Sequence, residues 1–429
     1  MVSYLAKGRI NGARLWGDLM TLGGITETEQ PYTRRSFSAK FVEGRRWLAA
    51  RFRDAGLDVR IDAGGNLIGR RTGRSPDAPT IMLGSHSDSV PGGGRFDGMA
   101  GILAGLEVAR TLEDVGVALE HALEVVDFLA EEPSEFGLSC IGSRAMAGAL
   151  EEGQLEQKGP GGETLSSAIE RMGGSPGRIE SARRRDIRAF LELHIEQGPV
   201  LEARGLDVGI VTAIVGITRL ELRFVGEAAH AGTAPMRGRH DAAIAAAEVV
   251  LAVRDLARTL DARGEGYFVA TAGVIDVKPN AANVVPGEAR LVIDARCESA
   301  PLMRRFVDDL RERAVAVATM TATELADFKV LSDNDPAECD PMLQRLLVES
   351  VASVGCSAMS MASGAGHDAA FVSRVAPSAM IFVPCRGGRS HCPQEWSEPA
   401  QLAIGTELMF ETVLRIDLAA LDASVTGER

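Results

Sequence analysis

Four short apolar runs constrain this chain more than any other feature of its 429 residues. Residues 78–83, 122–129, 188–193 and 378–383 each have the length of a strand. Each leads into side chains that can bind a metal or carry a proton. The first run meets Gly84-Ser85-His86, the second Ala130-Glu131-Glu132, the third His194, and the fourth a Gly-rich loop with His391. In open α/β sheets, ligands bind outside the carboxyl ends of the strands. Four such endings therefore predict one shared site on an α/β fold. Helical patterns between the runs agree with that fold class. Over 41–55, Trp47, Leu48, Phe52 and Ala55 recur at three- and four-residue steps, and Gly56 stops the helix.

A different texture begins near Val211. Residues 218–225 alternate apolar and polar, as a half-exposed antiparallel strand does. Strands over 268–275 and 288–294 and helices over 241–256 and 301–319 complete a small α/β sandwich. The first pattern returns after about Leu331. The sequence thus predicts a discontinuous catalytic domain, 1–211 and 331–429, and an inserted domain, 212–330. A prior of about 150 residues per domain allows two to three domains.

Charge and composition exclude several functions. Lys and Arg number 46 against 59 Asp and Glu, a net charge of −13, which argues against nucleic acid or an anionic membrane as partner. No run of 18 apolar residues is present, and the segment MVSYLAKGRINGARLWGDL lacks the apolar region of a signal peptide. A soluble, cytoplasmic protein is expected. Cys140, Cys297, Cys339, Cys356, Cys385 and Cys392 form no CxxC pair and read as free thiols. Gly92-Gly93-Gly94 lacks the GxGxxG spacing of a dinucleotide site.

The loop from Gly84 to Gly101 carries the strongest chemical signal. It holds His86, Asp88 and Asp97 among glycines that let a backbone fold around an ion. Imidazole and carboxylate suit zinc, manganese, cobalt or nickel. Asp88, two residues beyond His86, is placed to orient that ring. A lone Glu-Glu after a strand is more often an exposed acidic turn, and a lone His ending a buried strand is more often a core residue. Together with His391 they provide three histidines, one Asp and one Glu, enough for two ions sharing a carboxylate. Of seven histidines, His121 and His240 read as structural or surface residues.

These segments, with His194-Ile-Glu-Gln-Gly198, Ala229-His230-Ala-Gly-Thr-Ala-Pro-Met236 and Ser363-Gly-Ala-Gly-His367-Asp-Ala-Ala-Phe371, resemble the amidase/hydantoinase/carbamoylase family. That family includes N-carbamoyl-L-amino acid hydrolases, β-ureidopropionases and allantoate amidohydrolases within a dinuclear aminoacylase and carboxypeptidase superfamily. The resemblance spans nearly the whole chain. It implies two divalent ions, with His86 and His391 on opposite ions, Asp97 bridging, Glu132 on one and His194 on the other. It implies Glu131 as general base and His230 as the lid histidine that polarises the scissile carbonyl. Asn283 matches the family's asparagine, Arg296 its carboxylate-binding arginine, and Gln197 and His367 line its pocket. A metal-binding α/β/α domain with a smaller lid and dimerisation domain, a homodimer and a small carboxylate-bearing substrate are expected. Rival readings are the same chemistry on an N-acyl amino acid, dipeptide or aryl amine, and a non-catalytic metal-binding protein. Two loops depart from the family pattern: Glu131-Glu132-Pro133-Ser134-Glu135-Phe136, and Glu29-Gln30-Pro31-Tyr32-Thr33-Arg34.

Overall fold

The structure, a computed structural model, describes residues 9–419. The first eight residues of the segment read for a signal peptide lie outside them. The described residues divide into a first unit of 9–212, 339–361 and 367–419 and a second unit of 213–338 and 362–366.

In the first unit, seven strands lie side by side in the order Asp58–Ile61, Leu67–Arg71, Leu123–Phe128, Thr80–His86, Ile187–Ile195, Ser378–Val383, Val208–Ile214. The four middle neighbours, from Leu123–Phe128 to Ser378–Val383, pair in parallel. Every residue of these four strands is buried, so both faces of the sheet are covered. Met99–Asp114 lies against the Thr80–His86 strand, with Gly12–Gly24 and Pro399–Leu418 packed on it in turn. Ala39–Asp54 covers the two antiparallel strands at the sheet's edge, starting from Ser38, whose hydroxyl accepts the Phe41 N–H. Buried Leu, Ile and Phe side chains such as Ile81, Leu83, Phe128 and Phe382 stabilise this layer by about 1.5–3 kcal/mol each.

Because the four middle strands are parallel, their carboxyl ends share one edge. The strands reach further than the apolar runs suggest. Thr80–His86 continues through the histidine, which pairs with Phe128. His194 lies inside Ile187–Ile195, opposite Phe382. Polar side chains can end these strands because the ladder continues regardless of side chain.

The second unit is a four-stranded antiparallel sheet in the order Glu324–Asn334, Gly216–Val225, Glu288–Cys297, Phe268–Lys278. Burial alternates along its two central strands. Their apolar faces, with Leu220, Leu222, Phe224, Leu291 and Ile293, pack under the helices Ala242–Asp261 and Ala300–Met320. The boundary expected near Leu331 falls inside the strand Glu324–Asn334, and the second unit runs on to Glu338.

All six cysteines are free. Among the described residues, no helix is long and apolar enough to cross a membrane.

Candidate metal centre and active site

The shared edge of the parallel strands gathers the predicted ligands into two groups: His86, Asp97 and His194, and Asp97, Glu132 and His391. Asp97 belongs to both. Its Oδ1 lies 3.0 Å from His194 Nε2 and 3.7 Å from His86 Nε2. Its Oδ2 lies 2.9 Å from His391 Nε2, which is 3.3 Å from Glu132 Oε1. All but His391 are buried.

The imidazole orientations show what these atoms await. His86 Nδ1 faces the Asp88 carbonyl oxygen at 3.0 Å, and His194 Nδ1 faces the Ile195 carbonyl oxygen at 2.9 Å. In the neutral rings, Nδ1 therefore carries the hydrogen and Nε2 the lone pair. His194 Nε2 also accepts the Gly98 N–H at 3.2 Å. Gly98 has φ +66°, and a Cβ there would lie 2.5 Å from His86 Nε2, so only glycine passes between the rings. Two lone-pair nitrogens thus face an acceptor-only carboxylate. A proton or a cation must sit between them.

The electrostatics favour the cation. Burial pushes the Glu131 carboxyl well above the usual carboxylate range; His86 opposes this, and Glu132 and Asp368 add to it. Burial, then the Asp97 charge, pushes Glu132 up to about 8. Burial works against a charged His86, yet Glu131, Asp88 and Asp97 outweigh it and raise the ring well above its ordinary value. His391 is raised to about 9, chiefly by its bond to Asp97. Burial alone would raise Asp97, but the neighbouring imidazoles of His194, His391 and His86 hold it well below the usual range. The pocket has more carboxylate than positive charge, and Glu132 Oε1 is buried without a hydrogen bond. A divalent cation would supply that charge and take the place of the protons, so the donor set fits one.

Glu131 stands apart from the two groups, its Oε2 3.7 Å from His86 Nε2. Ala130, at φ +53°, turns the chain sharply after its strand and lets consecutive glutamates diverge. Asp88 holds that turn. Its Oδ1 accepts the Glu131 N–H at 3.3 Å and its Oδ2 the Glu132 N–H at 3.2 Å. Asp88 therefore orients His86 mainly through its carbonyl and spends its carboxylate on the two glutamates. The Cys140 thiol donates to Glu131 Oε1 at 3.4 Å.

Gln197 and His367 belong to the same unit. Gln197 Nε2 donates to Ser390 Oγ at 3.1 Å, and its Oε1 is buried without a partner. The buried His367 ring meets His194 edge to face at 4.5 Å. His121 bonds Asp417 at 2.8 Å, a structural role.

His230, Asn283 and Arg296 lie in the second unit. Ala229–His230 pairs with Val284–Val285, and Ala231 N donates to the Asn283 carbonyl at 2.9 Å, so His230 and Asn283 are neighbours. His230 Nδ1 accepts the N–H groups of Gly232 and Thr233, both at 3.2 Å, which leaves the hydrogen on Nε2. Arg296 bonds Asp294 Oδ1 at 2.9 Å and the Gly364 carbonyl at 2.9 Å, so part of its fork is engaged within its own unit. The departing residues Pro133, Glu135, Glu29, Gln30 and Pro31 are all exposed.

Glu192, Asp368 and Glu395 are buried carboxylates around these groups that the sequence pattern did not single out. Glu192 accepts the Ser85 hydroxyl at 2.6 Å and the Ala369 N–H at 3.1 Å. Asp368 accepts the Ser143 hydroxyl at 2.6 Å. Glu395 accepts the N–H groups of Phe96 and Asp97 at 2.8 and 3.1 Å. A charge within the apolar run Phe190-Leu-Glu-Leu193 is a usable signal for Glu192; Glu395, in a short polar loop, has none.

The chain is similar to known proteins over most of its length. Residues 82–415 match peptidase family M20/M25/M40. The N-carbamoyl-L-amino acid amidohydrolase of Geobacillus stearothermophilus is 38% identical over 95% of this chain and 99% of its own. The ureidoglycolate hydrolase of Arabidopsis thaliana is 34% identical over 95% of this chain and 87% of its own. A crystal structure of an amidase of the hydantoinase/carbamoylase family from Burkholderia multivorans superposes with a TM-score of 0.89 at 34% identity, covering 96% of this chain and 99% of that one.

Proposed function

From the premise that this chain belongs to peptidase family M20/M25/M40, we propose that it is a metal-dependent amidohydrolase of linear C–N amides, acting on an N-carbamoyl-L-amino acid or a related ureido acid. The observation that carries the reading is one buried carboxylate, Asp97, shared by two ligand groups, with the unshared Glu131 beside them. Two divalent ions (zinc, manganese, cobalt or nickel) held by His86, Asp97 and His194 and by Asp97, Glu132 and His391 would supply Lewis acidity and a more acidic water.

The protein's own groups do the rest. Glu131 takes the proton of the attacking water and returns it to the leaving nitrogen. Its buried setting suits the first half of that cycle, because burial raises the carboxylate's affinity for a proton. His230, with its hydrogen on Nε2, donates to the oxyanion of the tetrahedral intermediate. Gln197, Asn283 and His367 line the substrate, and Arg296 receives its carboxylate. A carbamoyl substrate yields ammonia, carbon dioxide and the amino acid. The relatives' names support the ureido class.

The functional unit is a homodimer. Supporting this, Ile244 and Leu251 on one helix and Val269, Val274 and Ile275 on an edge strand of the second unit are exposed apolar residues.

A substrate screen tests the reading. Ammonia release from N-carbamoyl amino acids, ureidoglycolate and allantoate is measured beside hydrolysis of N-formyl and N-acetyl amino acids and dipeptides, with metal content assayed on the same sample. Turnover of a ureido acid is expected. Cleavage confined to N-acyl acids or dipeptides overturns the substrate class, and full activity in metal-free protein overturns the chemistry.

A further inference from the structure

Glu395 is a buried carboxylate that, among the described residues, makes no ion pair. Burying a charge is costly unless hydrogen bonds compensate it. All its bonds go to two loops. Oε1 accepts the N–H groups of Phe96 at 2.8 Å and Asp97 at 3.1 Å. Oε2 accepts the Ser390 hydroxyl at 2.9 Å. Asp97 and His391 are the two side chains that meet across those loops, at 2.9 Å. The chain keeps room for this carboxylate: a Cβ at Gly94 would lie 1.9 Å from Glu395 Cδ and Oε1. Ser390 is held from a second side by Gln197 Nε2 at 3.1 Å, and His391 has the left-handed φ of +55°, which a non-glycine residue keeps only where its surroundings hold it.

We propose that Glu395 is a positioning residue that sets the separation of Asp97 and His391 for a shared divalent cation. It acts on Asp97 through the backbone and on His391 through Ser390. The inference rests on the reading of Asp97 and His391 as ligands.

The test is chelator-competition titration of Mn²⁺ into metal-stripped wild type, Glu395→Ala, Glu395→Gln, Ser390→Ala and the double variant Ser390→Ala/Glu395→Ala, with thermal unfolding of each stripped protein. Loss of an outer partner of a ligand typically weakens metal binding 10–100-fold, and Glu395→Ala is expected to weaken Mn²⁺ by about that factor. Glu395→Gln stays within about threefold of wild type, because an amide oxygen still accepts both N–H groups and its nitrogen can donate to Ser390. Ser390→Ala weakens binding in the wild-type background but adds nothing to Glu395→Ala, since both remove the same arm. Wild-type Mn²⁺ affinity in Glu395→Ala overturns the role of Glu395 alone. So does a Glu395→Gln variant as weak as Glu395→Ala, which would make charge rather than geometry the determinant. If Glu395→Ala does not fold, the Gln and Ser390→Ala variants decide in the same way. A wild type that binds no Mn²⁺ overturns the ligand reading itself.

Discussion

Glu131 and Glu132 are adjacent in sequence, yet the turn at Ala130 sends one toward the ligand groups and leaves the other beside His86. Their variants should therefore fail differently. Glu131→Gln is isosteric and cannot take a proton, so kcat should fall by about 10²–10⁴ with metal content unchanged. More than a tenth of wild-type kcat would mean another group is the base. His86→Ala, Glu132→Ala and Asp97→Ala should lower metal occupancy by elemental analysis, Asp97→Ala most, because both groups depend on it. Exhaustive chelation should inactivate the wild type, and Mn²⁺ or Co²⁺ should restore it; activity that survives metal-free dialysis refutes this. The residues that the structure gathers into the two groups were legible because each follows an apolar run or a Gly-rich turn. The supporting carboxylates were not, because Asp368 and Glu395 owe their burial to contacts made far away in sequence, at Ser143 and Phe96.

Among the elements, the strand Leu123–Phe128 carries an unusual charge. Glu124 is fully buried and receives Arg184 at 2.7 Å, Arg70 at 2.9 Å and Arg60 at 3.0 Å. Burial alone would raise its carboxyl, but Arg184, then Arg60 and Arg70, outweigh burial and hold it below the ordinary value. A folded-state pKa below the unfolded one means stability that is present above the unfolded value of about 4.3 and is lost as pH falls through the folded one. Glu124→Gln should then cost about 1–3 kcal/mol in urea unfolding at pH 7, with the gap closing below pH ~4. An equal gap at both pH values would assign the loss to packing. The central strands of both units were readable from sequence because unbroken burial or strict alternation marks them. The edge strand Glu324–Asn334 was not. It is largely exposed, and register shifts between Leu325 and Asp327 and between Val330 and Ser332 break its period.

For the whole molecule, light scattering should give a mass of 2 × 45.5 = 91 kDa, and Ile275→Lys with Val274→Lys should shift it toward 45.5 kDa if the exposed apolar strand joins two copies. A 45.5 kDa wild type at micromolar concentration refutes the homodimer. The second unit opens where the sequence turns to an alternating pattern, and it closes beyond an irregular strand that carries no such mark. The sheet order also bears on how the protein is made. Ser378–Val383 sits between Ile187–Ile195 and Val208–Ile214, two strands translated long before it. Until that late segment leaves the ribosome, both earlier strands hold open edges facing a gap, and His391 has not been synthesised. The nascent chain must keep the slot unfilled through well over a third of its synthesis, a natural station for a chaperone, and the two candidate ligand groups come together as one of the last acts of folding.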